Sequence, residues 1–264
     1  RILMVGAGSA SVGVAKQLMN FFTEHGLTEE QAKDRIWTTD SKGLVTANRG
    51  DELAEHKRFF ARHDNGDKQY KDLEEIIDYV KPTALLGMST VRGTFTPEVL
   101  KRMAKLNKRP IVMALSNPTS KAECTFEEAL KYTDNKVIFA AGSPFDPVEI
   151  DGKTRYSDQG NNFYIFPGVG LAGALTRAKH ITEAIITESA MALADSMNDK
   201  EKEMDLLYPL PERVREVAHY IAFRCIKAIN KAGLAQDDGF TAGLSDDELF
   251  KWVHDEMWVP SYDH

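Results

Sequence analysis

The chain opens with a short apolar segment, a glycine-rich turn and a helical pattern in direct succession. Ile2–Val5 is typical of a buried strand, and apolar residues recur at helical spacing over Val12–Glu24. Between them lie six small residues, Gly6, Ala7, Gly8, Ser9, Ala10 and Ser11. Glycine at position 6 permits a tight turn, and glycine at position 8 lets backbone N–H groups approach an anion at the helix N-terminus. This order predicts a dinucleotide site at the turn, with a purely structural turn as the alternative.

The rest of the glycine turn separates two classes of nucleotide-binding protein. Ser11 occupies the third position of the dinucleotide fingerprint, where a small residue still allows close packing. A P-loop requires lysine after its last glycine, but Val14 follows Gly13. The turn therefore favours a dinucleotide over a nucleoside triphosphate.

Short apolar runs and helical patterns alternate through the first half of the chain. The predicted strands are Ile2–Val5, Ile36–Thr39, Ala84–Met88, Ile111–Leu115 and Val137–Ala141. The predicted helices are Val12–Glu24, a short one opened by a capping box at Thr28, Arg49–Arg62, Asp72–Val80, Pro97–Leu106 and Phe126–Tyr132. Such alternation predicts an α/β fold, a doubly wound parallel sheet of Rossmann type with helices on both faces.

The second half has a different pattern. Asp151-Gly152 predicts a hairpin turn. Long helical patterns run from Leu171 to Met197 and from Pro211 to Ala232, and a shorter one covers Ser245–Met257. We therefore expect additional C-terminal helices after the sheet.

Composition excludes several classes of protein. The 264 residues carry 33 Lys+Arg against 40 Asp+Glu, a formal charge of −7, whereas a dedicated nucleic-acid binder is usually basic. No apolar run approaches the roughly 20 residues that a membrane span requires. Cys124 and Cys225 are too few for a disulfide framework or a zinc site, which favours a reducing, intracellular compartment. We therefore expect neither a nucleic-acid nor a membrane partner.

An acidic residue and several cations follow the second predicted strand. Asp40 ends that strand, where a carboxylate commonly accepts hydrogen bonds from the adenosine ribose, and Ser41 follows it. The alternative is an Asp that only stabilises a turn. Nearby cations are of the type that a ribose 2′-phosphate requires, although they are equally consistent with a solvated helix face: Lys42, Arg49, Lys57 and Arg58.

Polar loops follow later strands, where ligands of an open parallel sheet bind. Ser89 follows the strand that ends at Met88, and Asn117 follows the strand that ends at Leu115. Asn161 and Asn162 form a third such loop. These side chains are candidates for binding the nicotinamide ribose and a substrate carboxylate, with helix capping as the alternative for Asn117.

Groups for acid–base, nucleophilic or metal chemistry are not evident. The sequence contains no HExxH, Cys–His or GxSxG motif, so we assign no catalytic and no metal-binding residue. The chain starts with Arg1, directly before the predicted strand Ile2–Val5. We therefore expect it to be part of a longer protein whose catalytic portion precedes it, with any targeting segment absent.

Several long segments together resemble one family, the malic enzymes of the large-subunit type. They are residues 2–10, Asp40-Ser41-Lys42-Gly43-Leu44, residues 114–124, residues 141–148, residues 159–169 and Leu207-Tyr208-Pro209. The resemblance implies that residues 1–264 are the NAD(P)-binding domain with a C-terminal helical extension. This chain departs from the family pattern at Ser9, where members often have Glu.

The resemblance implies oxidative decarboxylation of L-malate to pyruvate and CO2. It implies a divalent metal, Mg²⁺ or Mn²⁺, held mainly outside this chain, where the family's catalytic Tyr and Lys also lie. It implies a homo-oligomer, a dimer or tetramer, in the full-length protein. We expect the isolated chain to be inactive and the protein to be cytoplasmic, with mitochondrial as the alternative.

The resemblance also bears on the cofactor and on the site. It implies cofactor contacts at Gly6, Gly8, Ser9, Ala10, Asp40, Asn117 and Asn161, and malate contacts at Asn117, Asn161 and Asn162. From their places in the glycine turn and after strands, we expect cofactor contacts also at Ala7, Ser41 and Ser89. Lys57 falls where NADP-using members place a lysine that faces the 2′-phosphate, so we expect NADP, with NAD as the alternative. Rival hypotheses are another Rossmann-type dehydrogenase, such as a glutamate-type or methylene-tetrahydrofolate enzyme, and a non-catalytic dinucleotide-sensing module.

Overall fold

A seven-stranded sheet forms the first part of the molecule. The computed structural model describes residues 1–259, apart from the side chain of Glu52, so residues 260–264 of the predicted domain lie outside the described residues. The strands of the described chain are β1 (Ile2–Val5), β2 (Ile36–Asp40), β3 (Gly43–Leu44), β4 (Ala84–Gly87), β5 (Ile111–Ala114), β6 (Ile138–Ala141), β7 (Val148–Ile150), β8 (Lys153–Arg155) and β9 (Asp158–Gln159). β7 and β8 form a separate hairpin, and the other strands form the seven-stranded sheet. The sheet order is β3-β2-β1-β4-β5-β6-β9, with β3 antiparallel and every other pair parallel.

Helices connect and cover these strands. They are α1 (Ser9–Glu24), α2 (Glu29–Lys33), α3 (Glu55–Arg58), α4 (Leu73–Val80), α5 (Pro97–Leu106), α6 (Phe126–Tyr132), α7 (Phe166–Leu175), α8 (Glu183–Asp195), α9 (Asp199–Glu203), α10 (Val214–Lys231), α11 (Phe240–Gly243) and α12 (Asp246–Asp255). Short 3₁₀ helices lie at Ala47–Glu52, Thr119–Lys121, Asn162–Tyr164 and Pro211–Arg213.

The apolar strands are buried on both faces. Leu3 of β1 packs in one cluster with side chains of α4, α5 and α6. Its neighbour Met4 points to the opposite face and packs with α1 and α2. This alternation follows from the two-residue period of a strand, and it confirms the predicted doubly wound α/β fold. The order reverses between β1 and β4, which places a ligand crevice at the carboxyl ends of these two strands.

Two predicted helices are wrong in extent. The segment predicted as one helix over Arg49–Arg62 contains a 3₁₀ turn and the single turn α3, because Gly50 adopts φ 59° and ψ −134° and breaks the pattern. The pattern from Leu171 to Met197 divides into α7 and α8. Thr182 begins α8, and its hydroxyl accepts the backbone N–H of Ile185.

Other local predictions are confirmed. Thr28 and Gln31 form the predicted capping box of α2. The structure shows a second capping box, of Ser245 and Glu248, at α12. The Asp-Gly turn joins β7 to β8 in an antiparallel hairpin. Gly233, just after α10, has φ 66°, as a glycine at a helix C-terminus commonly does.

The chain divides into two compact units. The first comprises Arg1–Gly160 together with Met204–Leu207, and the second comprises Asn161–Glu203 and the chain from Tyr208 onward. The second unit is helical and is built around α10, against which α7 and α8 pack. A Cβ at Gly168 would lie 2.6 Å from Cγ2 of Ile221, so glycine there allows close packing of α7 and α10. No helix within residues 1–259 is long and apolar enough to cross a membrane.

Candidate dinucleotide site

The glycine turn lies at the carboxyl end of β1, next to the end of β4. Gly6 has φ 119°, and a Cβ there would lie 2.5 Å from the carbonyl oxygen of Met88. Both its backbone conformation and the close approach of β4 therefore require glycine. A Cβ at Gly8 would meet no atom within 4 Å. Gly6 thus shapes the turn, while Gly8 leaves open space above it.

The N-terminus of α1 faces that open space. Gly8 is the N-cap residue and supplies no side-chain cap, and the first turn of the helix carries no acidic residue. The first N–H groups of a helix lack intrahelical partners and favour an anion. Gly8, Ser9 and Ala10 are exposed, whereas Ala7 is buried. Ser11, at the third fingerprint position, donates its hydroxyl to the Gly6 carbonyl at 2.6 Å and so closes the turn.

Asp40 lies at the end of β2 and forms ion pairs with two basic side chains, those of Arg49 and Lys57. Its side chain is 9% exposed. Arg49 donates to both carboxylate oxygens, at 3.0 and 2.9 Å, and the Nζ of Lys57 donates at 2.7 Å. The backbone N–H of Lys42 donates to the same group at 2.9 Å. The predicted ribose-binding carboxylate and the predicted phosphate-binding lysine are therefore in direct contact.

The charges of this cluster do not cancel. Burial alone would raise the pKa of Asp40, but hydrogen bonds from Arg49, Lys57 and the N–H of Lys42 outweigh it and lower the pKa to about 2. One carboxylate thus faces two cations, which leaves a surplus positive charge. Adjacent to the cluster is a cavity of ≈ 400 Å³, lined by Ser41, Lys42, Arg49, Gln69 and Lys71. A phosphate group would be attracted to this region.

The lowered pKa of Asp40 predicts a pH-dependent contribution to stability. A depressed carboxyl pKa stabilises the folded state above the pKa of the unfolded chain, and the contribution disappears as the pH falls through the folded value. Asp40→Asn should therefore lower the free energy of unfolding by about 1–2 kcal/mol at pH 7. The difference from the parent should shrink between about pH 4 and pH 2. Urea titrations at several pH values measure it.

Asp51→Asn is the matched control for this prediction. Asp51 lies in the 3₁₀ helix Ala47–Glu52. Its side chain is fully exposed, and its ion pair with Arg58 spans 3.7 Å. Exposed ion pairs of this length contribute little to stability. A loss for Asp40→Asn that is equal at pH 7 and pH 2 would contradict the assigned ion pairs.

Sequence reasoning missed the role of the short helix α3. His56 lies directly before Lys57, and its Nε2 is 3.2 Å from the carbonyl oxygen of Ala7 in the glycine turn. One helical turn therefore contacts the glycine turn through His56 and Asp40 through Lys57. The contacts of His56 and Lys57 could not be predicted from the sequence. They depend on the break at Gly50, which lies within an otherwise helical pattern.

A second missed residue is Glu123, which joins the loops after β4 and β5. Its carboxylate is fully buried and accepts the backbone N–H of Ser89 at 2.9 Å and the Ser89 hydroxyl at 2.8 Å. It also accepts the hydroxyl of Ser116 at 2.5 Å. The predicted site residue Ser89 is thus held from beneath, and its neighbour Thr90 bonds to Ser116 Oγ at 2.9 Å.

Asn117 does not cap a helix. Its Oδ1 accepts the hydroxyl of Ser143 at 3.2 Å, so it links the loop after β5 to the loop after β6. The residue is exposed, and the 3₁₀ turn that follows has Pro118 as its N-cap. The first unit therefore brings the glycine turn, Asp40, Ser89 and Asn117 to the same edge of the sheet, at the carboxyl ends of β1, β2, β4 and β5.

The remaining predicted residues belong to the second unit. Asn161 caps the 3₁₀ turn at residues 162–164, because its Oδ1 accepts the backbone N–H of Phe163 at 3.0 Å. Asn162 is exposed. Their contacts with cofactor and substrate stay predictions.

The described part of the chain, residues 1–259, holds no cluster of metal-ligating side chains. Within residues 1–259, no three His, Cys, Asp or Glu side chains lie together in an arrangement that could hold a metal ion. We therefore derive no metal-dependent step from these residues.

Comparison with known proteins agrees with this geometry. The family model described as "Malic enzyme, NAD binding domain" matches residues 1–230. The chain belongs to the malic enzyme NAD-binding domain family. Two curated relatives are NADP-dependent malic enzymes, from Dictyostelium discoideum (45% identical, covering 100% of this chain and 47% of the relative) and from Rattus norvegicus (40% identical, 99% and 44%). This malic enzyme domain thus spans about half the length of the curated relatives that it matches.

Solved structures show the same fold. A crystal structure of the Entamoeba histolytica malic enzyme superposes with a TM-score of 0.71 over 97% of this chain and 47% of that one, at 20% identity. A malic enzyme from Pyrococcus horikoshii gives a TM-score of 0.69 over 96% and 52%, also at 20% identity. The Rossmann-like architecture of this malic enzyme domain is therefore shared with both.

Proposed function

We propose that this chain is the dinucleotide-binding part of an NADP-dependent malic enzyme. The full protein would oxidise and decarboxylate L-malate to pyruvate and CO2 while reducing NADP⁺. The family membership of residues 1–230 supports the reaction, and the names of the curated relatives support the cofactor. The observation that carries the proposal within the molecule is the glycine turn, where Gly6 and the uncapped N-terminus of α1 leave an anion-binding space.

The chain's own residues would bind and orient the cofactor. The N–H groups at the start of α1 would receive the pyrophosphate, since they lack helical partners. Asp40, Ser41 and Lys57 would bind the adenosine ribose and its phosphate. Ser89 and Asn117 would bind the nicotinamide half at the carboxyl ends of β4 and β5. We extend the proposal to Asn161 for the cofactor and to Asn117, Asn161 and Asn162 for the malate carboxylate, on the family resemblance.

NADP is favoured over NAD by charge. The Asp40 carboxylate alone would repel a 2′-phosphate, but Arg49 and Lys57 bind it and leave a surplus positive charge. Lys42 and Lys71 line the adjacent cavity. The 2′-phosphate of NADP would therefore find cations where NAD presents only a hydroxyl.

The catalytic acid, base and metal are proposed to lie outside this chain. Mg²⁺ or Mn²⁺ would polarise the C2 oxygen of malate, as a Lewis acid does. We propose accordingly that the chain alone has no malate-decarboxylating activity, and that the full protein is a cytoplasmic homo-oligomer, a dimer or tetramer.

Turnover by the full-length protein tests the proposal. With L-malate, NADP⁺ and Mg²⁺ or Mn²⁺ present, we expect NADPH, pyruvate and CO2 to form in equal amounts. Absorbance at 340 nm measures NADPH, and CO2 capture measures the decarboxylation. Omission of malate or chelation of the metal should stop all three. NADPH formation without CO2 would instead identify another Rossmann-type dehydrogenase, and binding without turnover would identify a dinucleotide-sensing module.

A further inference from the structure

The carboxylate of Glu123 lies fully buried at the carboxyl ends of β4 and β5. Within residues 1–259 its hydrogen-bond donors are hydroxyl and backbone N–H groups, not cations: Ser89 N–H, Ser89 Oγ, Ser116 Oγ and, at 3.4 Å, Ser116 N–H. A buried carboxylate costs much free energy unless its oxygens are bonded. Here hydrogen bonds from two loops offset that cost.

The end of β4 leaves space for this carboxylate because its last residue is a glycine. A Cβ at Gly87, the last residue of β4, would lie 2.5 Å from Cδ of Glu123 and 2.7 Å from its Oε2. Any other residue at position 87 would displace the Glu123 side chain. The fold therefore places the group at the strand ends where the ligand crevice opens.

A strained residue depends on the same hydrogen bonds. Thr90 has φ 59°, a left-handed conformation that is costly for a β-branched residue. Its backbone N–H donates to Ser116 Oγ at 2.9 Å, and Ser116 Oγ in turn donates to Glu123. Such strain persists only when the surroundings hold the residue in place. Glu123 fixes the orientation of the hydroxyl that holds Thr90.

We propose that Glu123 is a positioning residue for the dinucleotide: through Ser89 and Ser116 it holds the loop at residues 89–91 in the conformation that binds the cofactor. The proposal rests on the function proposed above, since it requires that this loop contact a dinucleotide. Glu123 itself acts from beneath the loop and contacts no ligand.

Glu201 provides a matched control. It is also a fully buried carboxylate, but it belongs to the second unit. It accepts the backbone N–H groups of Asn198 and Leu210, at 2.9 and 2.8 Å, and the Arg213 guanidinium at 2.6 Å. Replacement by glutamine makes the same chemical change at both positions, so loss of a buried charge is common to both variants. The contact with the loop at residues 89–91 is present at Glu123 and absent at Glu201, which binds Arg213 instead.

The experiment uses the full-length protein, with NADP⁺ as the probe in titration calorimetry, and far-UV circular dichroism to establish folding. Glu123→Gln should raise the Kd for NADP⁺ about tenfold or more, because bonds to a charged acceptor are among the stronger ones. Glu201→Gln should lower the thermal midpoint while its Kd stays within about twofold of the parent. A merely structural role of Glu123 would lower the midpoint in both variants and leave both Kd values unchanged.

Two further variants decide the question if Glu123→Gln fails to fold. Ser116→Ala retains the carboxylate but removes the hydroxyl that holds Thr90, and it should also raise the Kd for NADP⁺. Thr90→Gly removes the left-handed strain, because glycine adopts this conformation freely, and should restore part of the affinity in the Ser116→Ala background.

Two outcomes overturn parts of the account and are distinguishable. A folded Ser116→Ala or Glu123→Gln protein with the parent's Kd overturns the positioning role alone. A parent protein that binds neither NADP⁺ nor NAD⁺ overturns the proposed function, and the positioning role with it.

Discussion

Gly6→Ala is expected to abolish detectable dinucleotide binding. Gly6 has φ 119°, which costs other residues on the order of 1–3 kcal/mol. Alanine would also bring its Cβ to 2.5 Å from the Met88 carbonyl oxygen, a backbone atom that can move only with β4. The turn must therefore shift and carry the N–H groups of α1 away from the pyrophosphate. Calorimetry should detect no binding of NADP⁺ under conditions where a Kd about a hundredfold above the parent value would already escape detection.

Gly13→Ala is the control for this prediction. Gly13 lies within α1, on its exposed face, and a Cβ there would meet no atom within 4 Å. Alanine is favoured over glycine inside a helix by about 0.5–1 kcal/mol, so this variant should be slightly more stable and bind NADP⁺ as the parent does. Unchanged binding by a folded Gly6→Ala protein would refute the assignment of the pyrophosphate to this turn.

Lys57→Gln is expected to lower the preference of the full-length enzyme for NADP⁺ over NAD⁺. Lys57 supplies one of the two cations that bind Asp40, and its side chain is 22% exposed and so reaches the surface of the site. Glutamine removes the surplus positive charge and leaves the Asp40 carboxylate facing the 2′-phosphate. We expect the ratio of kcat/KM for NADP⁺ to that for NAD⁺ to fall by about tenfold or more, since a charge-assisted bond is worth about 1.5–3 kcal/mol.

Lys57→Gln should change the ratio by lowering kcat/KM for NADP⁺. NAD⁺ lacks the 2′-phosphate, so its kcat/KM should be nearly unchanged. Lys101→Gln removes a charge from the exposed face of α5, where Lys101 forms a surface ion pair with Glu98 at 3.8 Å, and should leave both values unchanged. An unaltered ratio for Lys57→Gln would mean that Lys57 serves only to bind Asp40.

Local patterns were sufficient for much of the fold. Strand, turn and helix at residues 2–24 are recognisable because buried strands are apolar throughout and the glycines lie between strand and helix. The capping box at Thr28 is equally local. In contrast, the charged segment at residues 49–62 has a helical pattern that Gly50 interrupts, and the energetic weight of one glycine against a long pattern cannot be read from sequence alone.

The site was predictable in its strand-end residues and not in the contacts between them. Asp40, Ser89 and Asn117 follow strands, so their placement at one edge follows from the parallel sheet. The ion pair of Lys57 with Asp40 depends on how the chain turns after Gly50, a tertiary effect. The sequence did not indicate the role of Glu123 either, because a lone glutamate in a loop is usually solvated. Its close approach to Gly87 is a tertiary contact.

The central claim is that this chain holds a dinucleotide at the glycine turn and recognises its 2′-phosphate. The most direct measurement is calorimetric titration of the protein with NADP⁺ and, separately, with NAD⁺ in the same low-salt buffer. The account predicts a lower Kd for NADP⁺, with a preference that weakens as salt is added, because screening reduces the attraction of the cations at Asp40. Equal affinity for the two nucleotides, or tighter binding of NAD⁺, would contradict it.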